Sequence, residues 1–310
     1  MNTNLNKFEI SDPIIPTHVM QDTHLNQLTG CEIYLISELC QVTGSFKFRA
    51  AWNVVNQIDA PGFIAASSGN FGQALACAAK MRGRQCTIVM PDSSARIKVE
   101  AVRHYGATVD LVDVRNISRE QRVSDLSKSF PDHYVSSAYD SEYVISGNAS
   151  LGIELANSVP DIDAIIVPIG GGGLSAGIIS GLRSRDVGTL VWGAEPAIAN
   201  DAARSLRYGM IISNEKEPDT LADGARTISL GRLNFDILSH EMSGVIEIEE
   251  SLISIAMKHL HQCGLRVEPT GALSVAALFA NAKPFRDLKI GCVLSGGNVD
   301  DDVYCNLVGL

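Results

Sequence analysis

The segment Thr43-Gly44-Ser45-Phe46-Lys47-Phe48-Arg49 places a lysine between two phenylalanines, straight after a Gly-Ser turn and just before a helical run. Lysines normally lie on solvated faces of proteins. Aromatic neighbours would remove water from Lys47 and lower the pKa of its amine, because desolvation disfavours the charged form. A neutral amine can attack a carbonyl group and form a Schiff base. The alternative is an exposed lysine at a helix start, flanked by two core residues.

Composition limits the class of protein and its partners. The chain has 310 residues, of which 45% are hydrophobic and 19% charged, so it can build one large domain or two lobes around a sizeable core. The net charge of -10 argues against nucleic acid and anionic membranes as partners. Seven scattered cysteines without a C-x-x-C pair indicate free thiols in a reducing, cytoplasmic setting. The first twelve residues hold no apolar segment typical of a secretory signal.

Short β-rich runs alternate with helical patterns along the chain, which predicts an α/β fold of parallel sheets covered by helices. The predicted strands span 32–36, 62–66, 86–90, 108–114, 163–169, 189–194 and 289–294. The predicted helices span 46–57, 71–81, 95–105, 119–130, 149–157, 174–182, 250–263 and 271–280. No Pro/Gly-rich linker marks a boundary, so two lobes require the chain to pass between them more than once.

Three loops at predicted strand ends carry polar or glycine-rich sequence, and ligands of such sheets bind at strand carboxyl ends. Ser67-Ser68-Gly69-Asn70 offers hydroxyls and backbone N–H groups to an anion, although plain helix capping explains this segment better when it is taken alone. Gly170-Gly171-Gly172-Gly173 predicts a phosphate site, and packing alone seldom justifies four flexible glycines. Ser295-Gly296-Gly297-Asn298 presents a hydroxyl that can donate to a neutral ring nitrogen, or forms an ordinary turn.

A nicotinamide dinucleotide site is the rival interpretation of the glycine loop. Residues 171–176 fit G-x-G-x-x-A after a strand, and Glu195 ends the next strand near the distance expected of a ribose-binding acid. This interpretation leaves Lys47 and Ser68 without a role.

Taken together, T-G-S-F-K-F-R at 43–49, S-S-G-N at 67–70, G-G-G-G at 170–173 and L-S-G-G-N-V-D at 294–300 resemble the serine/threonine dehydratase and serine racemase family. These are pyridoxal-phosphate enzymes, and the resemblance runs over nearly the whole chain. It implies the two-lobed, three-layer αβα, tryptophan-synthase-β-like architecture (fold type II) with mostly parallel twisted sheets. The large lobe would comprise residues 1–61 and 140–310, and a small mobile lobe residues 62–139.

The resemblance also implies roles for individual residues. Lys47 would be the Schiff-base lysine and α-proton base, and Ser68 a second catalytic group on the opposite cofactor face. The residues expected to bind the cofactor are Phe46, Lys47, Asn70, Gly170, Gly171, Gly172, Gly173 and Ser295. Those expected to bind substrate are Ser67, Ser68, Gly69, Asn70 and Arg119, although Arg119 is also explained as a solvated helix start. Mg²⁺ or Ca²⁺ would be held by Glu195, the carbonyl of Ala199 and Asp201, with two surface acids as the alternative.

The activity implied is an ammonia-lyase (dehydratase) that converts L-serine, L-threonine or 3-hydroxyaspartate to a 2-oxo acid and ammonia. An amino-acid racemase that uses Lys47 and Ser68 is the alternative, and a degenerate family member that senses an amino acid is a third. The family usually forms homodimers. Phe71 and Tyr139 depart from the residues common in the family, and these departures leave the substrate open.

Overall fold

The computed structural model describes residues 13–94, 96–159 and 161–310, so the initial segment without a predicted signal and the first residue of the predicted helix 95–105 lie outside the described residues. The strands in the described residues are β1 His18–Gln21, β2 Glu32–Ser37, β3 Gly62–Ala66, β4 Gln85–Pro91, β5 Thr108–Val112, β6 Tyr134–Val135, β7 Ala164–Pro168, β8 Leu190–Pro196, β9 Met242–Ile248 and β10 Lys289–Leu294. The α-helices are α1 Thr23–Thr29, α2 Lys47–Gln57, α3 Asn70–Met81, α4 Arg96–His104, α5 Arg119–Ser129, α6 Glu142–Ser158, α7 Gly173–Arg183, α8 Asp201–Tyr208, α9 Arg232–Glu241, α10 Glu250–Gln262, α11 Leu273–Asn281 and α12 Asp301–Val308. None of these helices has both the length and the apolar run needed to cross a membrane.

The strands form two sheets, one of six strands in the order β1-β2-β10-β7-β8-β9 and one of four in the order β5-β4-β3-β6. Neighbouring strands run parallel except β1, which is antiparallel to β2 at an edge. The chain enters the smaller sheet after α2 and returns to the larger one through α6. The predicted α/β class with mostly parallel sheets is therefore confirmed. The lobe boundaries at 61/62 and 139/140, and the mobility of the small lobe, stay predictions.

All seven predicted strands form, whereas β1, β6 and β9 were missed by the sequence pattern. These three strands lie at sheet edges. They are mostly exposed or half-buried, so they lack the continuous apolar run of a strand covered on both faces. Hydrophobic pattern therefore predicted the centres of both sheets and left out three of their edges.

Helix α6 begins at Glu142, seven residues before the predicted start at 149. The prediction began too late because Gly147 and Asn148 look like a helix break in the sequence. Gly147 serves close packing instead: a Cβ there would lie 2.6 Å from the carbonyl oxygen of Arg49 in α2. On its other face, α6 meets α7, where a Cβ on Gly181 would lie 2.2 Å from the carbonyl oxygen of Ala149. Glycines thus let α2, α6 and α7 approach at backbone distance.

Arg49 anchors α2 from inside the protein. Its side chain is fully buried, with Nε 2.6 Å from Glu38 Oε2 and Nη1 2.6 Å from Glu154 Oε1. Nη1 also donates to Ser150 Oγ at 3.0 Å. These bonds tie the first turn of α2, which begins with Lys47, to the loop after β2 and to α6.

Candidate active site

A cavity of about 660 Å³ lies at the carboxyl ends of β3, β7 and β10, where the three loops singled out in the sequence meet. The structure brings together every residue predicted to bind cofactor or substrate. The cavity is lined by Phe46, Lys47, Ser67, Ser68, Gly69, Asn70, Arg119, Gly170, Gly171, Gly172, Gly173 and Ser295. The predicted metal ligands lie apart from it, as described below.

Lys47 presents its amine to this cavity, and Nζ donates to the carbonyl oxygen of Ala138 at 2.8 Å. Burial lowers the pKa of Lys47 to about 8, although the negative charge of Glu268 opposes the shift. Nζ lies 5.1 Å from the ring centre of Phe46 and 5.7 Å from that of Phe71. The expected desolvation of Lys47 is present, but the two rings near its amine belong to Phe46 and Phe71, not to Phe46 and Phe48. Phe48 instead stacks on Trp52 inside the core.

The four glycines of the loop after β7 have packing reasons that were not visible in the sequence. A Cβ on Gly171 would lie 2.2 Å from the ring of Tyr139, and one on Gly173 would lie 2.7 Å from the carbonyl oxygen of the same tyrosine. Gly172 has φ +88°, in the left-handed region that favours glycine. The expectation that packing contributes little to this run of glycines was therefore wrong. The loop is both closely packed and open to the cavity.

Two asparagines orient this loop. Asn234 Nδ2 donates to the carbonyl oxygen of Gly171 at 2.6 Å, and Asn148 Nδ2 donates to that of Gly173 at 3.0 Å. In a trans peptide the N–H group points away from the carbonyl. The N–H groups that follow Gly171 and Gly173 therefore point away from the asparagines. Gly173 also opens α7, whose first N–H groups lack partners within the helix, and this suits a phosphate.

Ser295 gives the clearest sign of a ligand-binding group in the cavity. It is 1% exposed, and its Oγ has no hydrogen-bond partner among the described residues. Buried polar atoms are nearly always paired, so this hydroxyl fits a ring nitrogen of a bound molecule. Ser295, the glycine loop and Lys47 together fit the three polar ends of pyridoxal phosphate: its ring nitrogen, its phosphate and its aldehyde.

Asn70 is held at both ends of its amide. Nδ2 donates to the two carboxylate oxygens of Glu268 at 2.9 and 3.0 Å, and Oδ1 accepts from Asn298 Nδ2 at 2.8 Å. Burial, helped by the charge of Asp223, raises the pKa of Glu268 to about 8. Sequence reasoning missed Glu268 as a site residue. The two residues are 198 positions apart, and only the fold brings Glu268 to Asn70.

The two serines of the loop after β3 differ in their surroundings. Ser67 is buried, and its Oγ accepts from the backbone N–H of Gly72 at 3.0 Å, as a helix cap does. Ser68 is half-buried and lines the cavity. The capping alternative therefore describes the Ser67 side chain. Ser68, as a residue that lines the cavity, is available to contact a ligand.

Two ion pairs join helices of the smaller sheet to the segment 217–223 beside the cavity. Lys98 Nζ lies 2.7 Å from Asp223 Oδ2, and Arg119 Nη2 lies 3.6 Å from Glu217 Oε2. All four side chains line the cavity. Residues so distant in sequence give no sequence signal for such pairs, and three of the four were missed as site residues.

The predicted cation ligands lie near the start of α8. The Glu195 carboxylate accepts from the backbone N–H groups of Ala202 and Ala203, at 3.2 and 2.7 Å. Asp201 Oδ2 is buried without a partner among the described residues, and burial raises the pKa of Asp201 to about 7. Burial, together with the charge of Asp201, raises the pKa of Glu195 well above its ordinary value. These oxygen donors fit a hard cation.

Comparison with known proteins decides the family. A family model described as "Pyridoxal-phosphate dependent enzyme" matches residues 10–296. The chain belongs to the pyridoxal-phosphate dependent enzymes. The family assignment replaces the dinucleotide interpretation of the glycine loop.

Relatives within this family carry two kinds of name. The chain is 35% identical over 297 residues to an L-threo-3-hydroxyaspartate ammonia-lyase of Pseudomonas sp, which covers 94% of this chain and 92% of the relative. It is 36% identical over 292 residues to a serine racemase of Dictyostelium discoideum, which covers 92% and 90%. The solved structure of a T.th. threonine deaminase superposes with a TM-score of 0.88 at 34% identity, over 93% of this chain and 94% of that one. These neighbours share the tryptophan-synthase-β-like architecture that the resemblance implied.

Proposed function

We propose that this protein is an ammonia-lyase that converts a β-hydroxy amino acid to a 2-oxo acid and ammonia, with 3-hydroxyaspartate as the first substrate to test and L-serine and L-threonine after it. The observation that carries the proposal is the buried Ser295 hydroxyl, which has no partner among the described residues and lines the same cavity as Lys47. Relatives named hydroxyaspartate ammonia-lyase support the choice of reaction.

The residues that would hold pyridoxal phosphate are Lys47, Ser295, Asn70 and the glycine loop at 170–173. Bound there, the cofactor would supply an electron-withdrawing ring that stabilises negative charge on the α-carbon of the substrate. Ser295 offers the ring nitrogen a hydroxyl instead of a carboxylate, which makes a milder electron sink. A milder sink suits loss of a β-substituent more than long-lived carbanion chemistry.

Lys47 would move the proton. With a pKa of about 8, roughly a tenth of the Nζ amine is neutral at pH 7, enough to accept a proton from the α-carbon. The same Nζ, once protonated, can donate to the β-hydroxyl, which leaves as water. Hydrolysis of the remaining enamine then gives the 2-oxo acid and ammonia.

The choice of 3-hydroxyaspartate is supported by charge in the cavity. This substrate carries a second carboxylate, and an arginine can bind a carboxylate with two parallel hydrogen bonds. Arg119 lines the cavity, where its guanidinium pairs with Glu217 at 3.6 Å, and a substrate carboxylate that binds with shorter hydrogen bonds would displace Glu217 from this pair. L-Serine and L-threonine have no second carboxylate for Arg119.

The test is a rate comparison on the pyridoxal-phosphate-loaded enzyme. 2-Oxo acid formation is measured with L-threo-3-hydroxyaspartate, L-serine and L-threonine, for the natural protein and for Lys47→Ala and Arg119→Lys. We expect Lys47→Ala to be inactive on all three, and Arg119→Lys to raise KM for hydroxyaspartate alone. Full activity in Lys47→Ala would overturn the mechanism, and no 2-oxo acid from any of the three substrates would overturn the activity.

Racemisation is a second candidate, because Ser68 and Lys47 both line the cavity and several relatives are named serine racemase. Two groups on opposite faces of the α-carbon can remove a proton from one face and return it to the other. Incubation of L-serine in deuterated water, followed by chiral analysis, measures this directly. Appearance of deuterated D-serine that is lost in Ser68→Ala supports racemisation, and retained chirality excludes it.

We propose four further properties. Mg²⁺ or Ca²⁺ would bind at Glu195, the Ala199 carbonyl and Asp201, supported by Asp201 Oδ2, which is buried without a side-chain hydrogen-bond partner in the part of the chain that the structure describes. Residues 62–139 would move as a small lobe against residues 1–61 and 140–310, supported by the two separate sheets. A homodimer is implied by the resemblance alone. A cytoplasmic location is supported by the free cysteines. Analytical ultracentrifugation tests the dimer, and calorimetry with Mg²⁺ tests the metal site.

A further inference from the structure

A carboxylate, an imidazole and a thiol meet away from the cavity, where the end of β1 leads into α1 and packs against the end of α10. Asp22 Oδ2 lies 2.6 Å from His259 Nε2. Cys263 Sγ lies 3.8 Å from Asp22 Oδ2 and 3.7 Å from His259 Nε2. All three atoms lie within 4.8 Å of one another, and the proposed reaction uses none of them.

Both buried members of the cluster are held in place by other bonds. Asp22 is 6% exposed, and its Oδ1 caps α1 by accepting from the backbone N–H groups of His24 and Leu25, which leaves Oδ2 for the cluster. His259 is also 6% exposed. The ring of His24 stacks on the ring of His259, with their Nδ1 atoms 3.4 Å apart. Such outer contacts fix ligand orientation in protein metal sites.

The third member provides access. His259 and Cys263 are four residues apart at the end of α10, so both side chains lie on one face of the helix. Cys263 is exposed, and a cation can therefore reach its sulfur from solvent. Asp22 and His259 are therefore already held in place, and Cys263 leaves the cluster open to solvent.

We propose that Asp22, His259 and Cys263 bind zinc or a similar thiophilic divalent cation, with water in the fourth position. Oxygen, nitrogen and sulfur together form a donor set typical of zinc, whereas Mg²⁺ and Ca²⁺ select oxygen alone. Donor atoms around tetrahedral zinc lie roughly 3.5 Å apart, close to both sulfur separations in the cluster. Only Asp22 Oδ2 and His259 Nε2 must separate, from 2.6 Å to roughly 3.3 Å, because zinc bonds to oxygen and nitrogen are shorter than the bond to sulfur.

Binding has a defined proton balance. The Cys263 thiol loses its proton to solvent as the thiolate binds the cation. His259 binds through Nε2, so the ring hydrogen that Nε2 donates to Asp22 Oδ2 moves through solvent to Nδ1. Nδ1 then donates to His24 Nδ1, and the hydrogen of the neutral His24 ring moves to its Nε2. The cation would thereby replace a hydrogen bond with a cross-link between the start of α1 and the end of α10.

Co²⁺ is a suitable probe, because thiolate bound to Co²⁺ gives a charge-transfer absorption that oxygen ligands do not. The pyridoxal-phosphate-loaded enzyme is titrated with Co²⁺ and followed by difference absorption, with excess Mg²⁺ present to fill any oxygen site. We expect a thiolate band that saturates at one Co²⁺ per chain, that Zn²⁺ displaces and that persists in Mg²⁺. Absence of the band up to millimolar Co²⁺ would overturn the proposal.

The variants separate this site from other thiols and from unfolding. Cys263→Ser should abolish the band, whereas Cys40→Ser, which alters another exposed thiol, should leave it intact. Asp22→Asn keeps a side-chain oxygen to cap α1, and it should weaken Co²⁺ binding at least tenfold. Zn²⁺ should raise the unfolding temperature of the natural protein but not of Cys263→Ser. An unchanged band in Cys263→Ser, or equal Zn²⁺ stabilisation of both proteins, would refute the site.

Discussion

Replacing the buried Arg49 with methionine should destabilise the protein severely. The substitution Arg49→Met keeps an unbranched apolar stem and removes the guanidinium. Glu38, which is 0% exposed, and Glu154, which is 6% exposed, would then be two buried carboxylates without their cation. Breaking a buried ion pair by removing one partner costs about 3–5 kcal/mol, because the remaining charge stays buried and uncompensated.

The loss should also depend on pH, with a sign that can be worked out. Burial raises the pKa of Glu38 even beside Arg49, and removal of the arginine raises it further. A carboxyl group whose folded pKa exceeds its unfolded pKa binds more protons when folded, so stability falls as pH rises. Relative to the natural protein, Arg49→Met should therefore lose more stability at pH 8 than at pH 5.

Urea unfolding of the cofactor-loaded protein, followed by circular dichroism at both pH values, measures this loss. The matched control is Arg84→Met, whose ion pair with Asp59 lies on the surface and should be worth less than about 1 kcal/mol. Adding Glu38→Gln and Glu154→Gln to Arg49→Met should recover stability, although it removes further charges. A cost below about 1 kcal/mol, or no dependence on pH, would refute the account of Arg49 as the partner of two buried carboxylates.

Three further predictions concern the cavity. Gly173→Ala would place a Cβ 2.7 Å from the carbonyl oxygen of Tyr139, so urea unfolding should show a loss of about 1–3 kcal/mol in the free energy of unfolding. Gly188→Ala, whose added Cβ would meet no atom of the described residues within 4 Å, should be close to neutral. Because the Lys47 amine has a pKa of about 8 and must be neutral to attack an aldehyde, the rate of pyridoxal-phosphate loading of the apoprotein should rise roughly tenfold from pH 7 to pH 9, and a flat profile would contradict that pKa. Ser295→Ala removes a neutral hydrogen bond worth about 1 kcal/mol, so fluorescence titration should show roughly fivefold weaker cofactor binding, and unchanged binding would mean that the hydroxyl does not contact the ring.

Three predicted groups of site residues share one property: 67–70, 170–173 and Ser295 follow β3, β7 and β10, which lie inside their sheets. Lys47 does not follow a strand directly, but it carries its own signal, a cation in aromatic surroundings. Strand ends could be located because central strands are continuous apolar runs, and parallel sheets gather their carboxyl ends at one edge. Local pattern and one topological rule were therefore enough to bring these residues together.

The residues that sequence missed depend on contacts between distant segments. Glu268 binds Asn70 across 198 positions, and Asn234 reaches Gly171 across 63. Lone polar residues in unremarkable surroundings have no periodicity that could reveal such contacts. The same limit explains Phe71, which replaced Phe48 as the second ring beside Lys47 because helix direction, not sequence adjacency, decides which side chain faces the amine.

The backbone-distance contacts among α2, α6 and α7 leave one side of the cavity less able to change in evolution than the other. Gly147 and Gly181 bring main chain against main chain at these contacts, and together with the Arg49 side chain they hold Lys47 and the glycine loop at a set spacing. The wall that carries Ser68 and Arg119 belongs to the other sheet and is built from ordinary side chains. Proteins that descend from one ancestor can therefore change substrate specificity by substitutions around Ser68 and Arg119, while the part of the cavity around Lys47 and the glycine loop is inherited unchanged.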